Sequence, residues 1–131
     1  MKKIVVVLTV LLTLTSCQSQ QNKQNTAEAK TQPSPSMNKT DEEWKKVVDI
    51  QLDAVYYLGR AVAAVMAKQG FGKIINVASA LSYAADPSSP AYTTAKHGVI
   101  GITRSFAVEL GRFGVTCNAI APGFYMTKVT D

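Results

Sequence analysis

The chain has two cysteines and one histidine among its 131 residues. Two thiols cannot form the multiply bridged scaffold of a small secreted domain, and a lone histidine without a cysteine pair leaves no ligand set for zinc. No metal is therefore expected, and His97 is read as an ordinary helix residue. Concentrated charge is also missing. The formal net charge is +5, but Lys2 and Lys3 stand at the extreme N-terminus and the other basic residues are scattered. That excludes the clustered basic face on which nucleic-acid binding depends. The apolar run at residues 4–14 is too short to span a bilayer comfortably. The sequence contains no internal repeat.

What is present falls into three parts. The opening MKKIVVVLTVLLTLTSC sets two lysines before an apolar core and closes on small residues and a cysteine, the pattern of an export leader. Leu14-Thr15-Ser16-Cys17 resembles the bacterial lipobox, which implies cleavage before Cys17, lipidation of its thiol and attachment to a membrane. Residues 1–17 are thus expected to be a signal peptide and not part of the fold. Residues 18–39, rich in Gln, Asn and Ser, carry too little apolar surface to offset the cost of ordering and are expected to be a disordered tether. Together they imply an exported bacterial membrane lipoprotein, or a cytoplasmic protein if the N-terminus arose by gene fusion. With Cys17 lipidated, Cys117 in VTCNAI has no partner and is expected as a small buried strand residue.

Residues 40–131 have globular character. Thr40-Asp41-Glu42-Glu43 is a capping box that opens a long helix, and Gly70 closes it. At about 100° per residue, Trp44, Val48, Val55, Leu58, Val62 and Met66 share one apolar face, with Gln51 in its middle as an amide that needs partners or an irregularity of the helix. Residues 73–79, KIINVAS, suit a buried parallel strand. After a polar loop, Ser89 as N-cap and Pro90 at the first helical position begin a second helix to Leu110, with Val99, Ile102, Phe106 and Leu110 as its buried stripe. Residues 115–120 form a second strand before a Pro-Gly stop. The order helix-strand-helix-strand, ending in a right-handed βαβ unit, predicts an α/β fold: a partial Rossmann-like, doubly wound parallel sheet.

Within this frame Tyr92 and Lys96 lie one helical turn apart on the same face. An ammonium about 5 Å from a phenol, at an effective dielectric near 20, favours the phenolate by roughly 3 kcal/mol. Such a pair in a partly dry cleft has the strength of a general acid/base. Ser79 ends the preceding strand at the carboxyl edge of the sheet, where ligands of parallel α/β folds bind, and can offer its hydroxyl to a substrate carbonyl.

Trp44, KIINVAS, Ser79, Tyr92-Thr-Thr-Ala-Lys96 and Asn118-Ala-Ile-Ala-Pro122-Gly123 with Thr127 together resemble the second half of the short-chain dehydrogenase/reductase family. The resemblance implies an NAD(P)-dependent oxidoreductase acting on a small alcohol or carbonyl substrate. It makes Tyr92 the acid/base and has Ser79 polarise the carbonyl. Lys96 would favour the ionised tyrosine and hold the nicotinamide ribose. It further implies that Pro122, Gly123 and Thr127 contact the nicotinamide end of NAD or NADP, and that the two long helices form a homo-oligomer surface. Gln51 falls where the family has an asparagine that helps hold a water near the lysine; the longer side chain is a departure from that pattern.

A second departure is that the family's Thr-Gly-x-x-x-Gly-x-Gly turn, which cradles the cofactor diphosphate, does not occur in this sequence. The expectation is a truncated enzyme, weakly active or inactive alone. Its two helices would lie on one face of a two-stranded sheet whose other face and both edges are bare. The alternative expectation is a non-catalytic membrane-tethered lipoprotein carrying a vestigial or fused dehydrogenase half.

Overall fold

In the computed structural model, the structure describes Val6–Leu8 by their backbone and residues 38–124 in full. Residues 18–37 of the expected tether, Cys17 and Thr127 lie outside the described residues.

The chain runs β1 (Val6–Leu8), α1 (Asp41–Val48), a π-helical turn (Asp49–Asp53), α2 (Ala54–Gln69), β2 (Gly72–Val77), a 3₁₀ turn (Ala80–Ser82), α3 (Pro90–Leu110), a 3₁₀ turn (Gly111–Phe113) and β3 (Val115–Ile120). The strands form one parallel sheet in the order β1-β2-β3. This corrects the two-stranded expectation: Val6, Val7 and Leu8 pair with Ile74, Ile75 and Asn76. Residues read as a leader core thus occupy one edge of β2. The physical reason is that a short β-branched run can satisfy the backbone groups of an otherwise open strand edge.

The capping box forms as the sequence predicts, with the Thr40 hydroxyl accepting from the Glu43 N–H at 3.1 Å and the Glu43 carboxylate accepting from the Thr40 N–H at 3.0 Å. Gly70 closes α2 in the left-handed conformation at φ 67°. Between these ends the single helix is interrupted by the π turn, which contains Gln51. An extra residue in one turn advances the apolar stripe of everything after it. The buried positions of α2 are accordingly Val55, Gly59, Ala63 and Met66. The predicted face does not survive intact: Trp44 is 42% and Leu58 47% exposed. Gly59 takes the place Leu58 was expected to hold, because a Cβ there would collide with the Phe106 ring of α3.

Ile74, Asn76 and Ala78 point from β2 and its end toward the helices, as do Val115 and Cys117 of β3, and all are buried. Met66, Ile74, Phe106, Leu110, Val115 and Cys117 make one core cluster; Val55, Ala78, Val99 and Ile100 make a second beneath the carboxyl end of the sheet. Lys73, Thr116, Asn118 and Ile120 point the other way and are exposed. Both long helices therefore cover the same sheet face, as expected. Val99, Phe106 and Leu110 of the predicted α3 stripe are buried and Ile102 is partly so. Pro90 opens α3, but Ser89 does not cap it with its side chain. Its hydroxyl donates instead to Asp86 at 2.8 Å.

One polar link crosses the core. The Asn76 amide nitrogen donates to Thr103 Oγ1 at 2.9 Å, and the Thr103 hydroxyl donates to the Val99 carbonyl at 2.7 Å. Cys117 is buried beside it as predicted, and burial pushes its thiol up to about 11. A free thiol titrates near 8.5. The folded state thus favours the protonated form, so this contribution to stability is full below about pH 8.5 and is lost as pH rises through about 11. In a Cys17→Ser background, native Cys117 should resist iodoacetamide at pH 8.5 and react on unfolding in urea; equal rates in both states would refute this.

Candidate active site

The site forms where β2 ends. The backbone leaves the strand at Ala78, whose N–H donates to the Ile120 carbonyl at 2.8 Å, and the Ala80 N–H donates to the Pro122 carbonyl at 2.9 Å. These bonds keep the chain after β3 beside the chain after β2, so Pro122 lies against the segment that carries Ser79. Gly123 follows on an exposed stretch.

Ser79 has extended backbone and begins the 3₁₀ turn. Its Oγ accepts from the Leu81 N–H at 3.2 Å. A hydroxyl has one proton and two lone pairs, and no described group receives the Ser79 proton. That proton is left for an acceptor oxygen of a ligand.

Tyr92 and Lys96 come from the first two turns of α3. Lys96 is only 6% exposed. Its Nζ stands 5.5 Å from the centre of the Tyr92 ring and donates to the Val77 carbonyl at 2.9 Å. Desolvation lowers the lysine pKa below its ordinary value. The Val77 carbonyl, at the last residue of β2, was not foreseen from the sequence; it holds the ammonium at the carboxyl edge of the sheet. An ammonium has three N–H donors, so two remain beyond the bond to Val77.

The structure thus places Lys96 beside Tyr92 and against the end of β2, and Pro122 against the segment that carries Ser79. It does not bring Gln51 into hydrogen-bonding contact with them. Gln51 is half-buried in the π turn, and its amide has no hydrogen-bond partner among the described residues. The turn itself lies against α3: a Cβ on Gly98 would stand 2.7 Å from Leu52 Cδ1. Gln51 is therefore near the helix that carries Tyr92 and Lys96, with no direct hydrogen bond to either. His97 points elsewhere, its Nδ1 2.9 Å from the Thr93 carbonyl at an exposed position. Ser82, absent from the sequence-based set, is buried in the loop and hydrogen-bonded to the backbone of both Ser79 and Lys96. The Ser-x-x-Ser spacing, a reciprocal cap, is the signal that could have revealed it.

The short chain dehydrogenase family profile matches residues 23–131. The chain is 43% identical over 90 residues to a 3-oxoacyl-[acyl-carrier-protein] reductase of Synechocystis, covering 69% of this chain and 36% of that protein. It is also 43% identical over 90 residues to a 2-dehydro-3-deoxy-D-gluconate 5-dehydrogenase of Bacillus subtilis, covering 69% and 35%. An NAD+-bound xylitol dehydrogenase superposes with a TM-score of 0.70 at 27% identity, over 72% of this chain and 36% of that one.

The fold is part of a Rossmann-type parallel α/β domain. The chain belongs to the short-chain dehydrogenase family and spans little more than a third of the length of these relatives.

Proposed function

We propose that the chain carries the proton-transfer centre of an NAD(P)-dependent oxidoreductase that interconverts an alcohol and a carbonyl. The observation that carries this reading is the Lys96 ammonium, fixed by the Val77 carbonyl 5.5 Å from the Tyr92 ring beside the strand end that bears Ser79. Ser79 donates a hydrogen bond to the substrate oxygen, and Tyr92 passes its phenolic proton to that oxygen during reduction and accepts it during oxidation. Lys96 stabilises the phenolate left behind and has two N–H donors for the nicotinamide ribose. Pro122 and Gly123 line the nicotinamide end, and the family motif assigns Thr127, outside the described residues, to the same end. A bound dinucleotide supplies or receives the hydride. The residues fit the nicotinamide-ribose end of either NAD or NADP. Neither α1 nor α3 begins at a glycine-rich turn, so no described residue is assigned to the diphosphate. Turnover by this chain is accordingly expected to fall below that of the full-length relatives.

Fluorescence titration of the chain with NADH and NADPH tests this. Saturable binding that Tyr92→Phe leaves in place supports the proposal, and no binding of either dinucleotide overturns it. Association through α2 and α3 is part of the same reading, supported by Tyr57, Val65 and Val108, which leave apolar side chains exposed on those helices.

A second reading is favoured by the opening sequence: an export leader ending at Cys17, which would make the chain a membrane-tethered lipoprotein with a non-catalytic dehydrogenase half. The two readings make opposite demands on the N-terminus. Processing at Cys17 removes Val6–Leu8 and with them β1, whereas pairing with β2 needs them retained. The intact mass of the chain recovered from cells distinguishes the two, since only the second gives a diacylglyceryl-modified chain starting at Cys17.

A further inference from the structure

Between β2 and α3 the loop is polar and largely exposed, with Tyr83 68% accessible, yet Ser82 is 3% exposed. Its Oγ accepts from the Ser79 N–H at 3.1 Å and donates to the Lys96 carbonyl at 2.8 Å. The hydroxyl proton thus goes to the helix and a lone pair to the strand end. An α-helical carbonyl already faces the N–H four residues on, so Ser82 takes the second lone pair of Lys96. The same turn fixes Ser79 from its other side, through the bond from the Leu81 N–H to Ser79 Oγ. One buried hydroxyl therefore joins the backbone of the residue that meets the substrate oxygen to the backbone of the residue that flanks the acid/base.

We propose that Ser82 is a positioning residue: it sets the placement of the Ser79 hydroxyl relative to Tyr92 and Lys96 by tying the Ser79 N–H to the Lys96 carbonyl. The proposal rests on the catalytic reading of Ser79, Tyr92 and Lys96. Misplacing reacting groups by about 1 Å lowers rates about 100-fold, and among the described residues Ser82 makes the side-chain hydrogen bond that ties this turn to α3. A residue that merely anchored a loop would affect stability and leave the Ser79 amide and the kcat/KM split alone.

The test uses the full chain with Ser82→Ala, Ser82→Cys and Ser82→Thr. Amide hydrogen exchange by NMR reads the geometry without reference to activity. Ser82→Ala should speed exchange at the Ser79 N–H at least tenfold while Val99 in the core of α3 stays as in the wild type. Ser82→Thr, which keeps the hydroxyl, should protect Ser79 as serine does. Ser82→Cys, similar in size but a weak acceptor, should not, so the comparison of Thr with Cys decides the matter even if the alanine variant does not fold. In turnover with NAD(P)H, Ser82→Ala should lower kcat about 10- to 100-fold with KM for the carbonyl substrate within about threefold. An unchanged Ser79 exchange rate, or a kcat within twofold of the wild type, overturns the proposal. Absence of wild-type turnover would count against the catalytic reading instead, and the exchange data would still decide whether Ser82 holds Ser79.

Discussion

Replacing Tyr92 by phenylalanine is expected to reduce carbonyl turnover by about 10²- to 10⁴-fold, the range typical for removal of a general acid, while leaving dinucleotide binding and the fold in place. The substitution deletes one oxygen from a half-buried ring at the start of α3 and leaves the Lys96 bond to the Val77 carbonyl intact. Stability should therefore barely move. The loss should appear in kcat and kcat/KM equally, since the proton moves only in the transition state. Steady-state assay with NADH and NADPH against a panel of ketones checks this, with urea unfolding in parallel. A variant that retains turnover within a factor of a few would show that Tyr92 is not the proton donor.

The second large effect concerns the core. Phe106→Ala should cost about 3–5 kcal/mol, as truncation of a buried aromatic usually does. Phe106 fills the space between α2 and α3: its ring lies over Gly59, stands 6.0 Å from the Tyr56 ring and shares a cluster with Met66 and Leu110. A domain of about ninety residues has a net stability of about 4–13 kcal/mol, so this single change removes about a quarter of it or more. The midpoint of urea unfolding should fall accordingly. Val108→Ala, at a position 85% exposed on the same helix, should stay within about 0.5 kcal/mol. Equal effects at the two positions would mean that α2 and α3 do not pack as described.

The element order was legible because the local signals agreed with one another. The Thr40 capping box, the left-handed Gly70, Pro90 at the head of α3 and two short β-branched runs each marked an element boundary, and the structure keeps them. The candidate site residues stood out in the sequence for a different reason: Tyr92 and Lys96 are linked by helical spacing, and Ser79 by its place at a strand end. What escaped was whatever depended on tertiary contact. The π turn at Asp49–Asp53 shifts the face of α2, and a helical wheel with uniform spacing cannot register it. Gln51 at the centre of that wheel was its one visible symptom. Pairing of β1 with β2 joins residues far apart in sequence and was hidden because the same apolar run also fits a leader. The Val77 carbonyl is a main-chain group, silent in any motif, and the short Ser-x-x-Ser spacing at Ser82 is a weak signal inside a polar loop.

The most direct test of the account follows the hydride itself: the full chain is incubated with dihydronicotinamide dinucleotide deuterated at C4 and a ketone, and the alcohol is analysed by mass spectrometry. The account predicts deuterium on the carbinol carbon with wild-type chain and at least 100-fold less with Tyr92→Phe. Label that is absent with the wild type, or equal in the two, would contradict the assignment of a proton-transfer centre to Ser79, Tyr92 and Lys96.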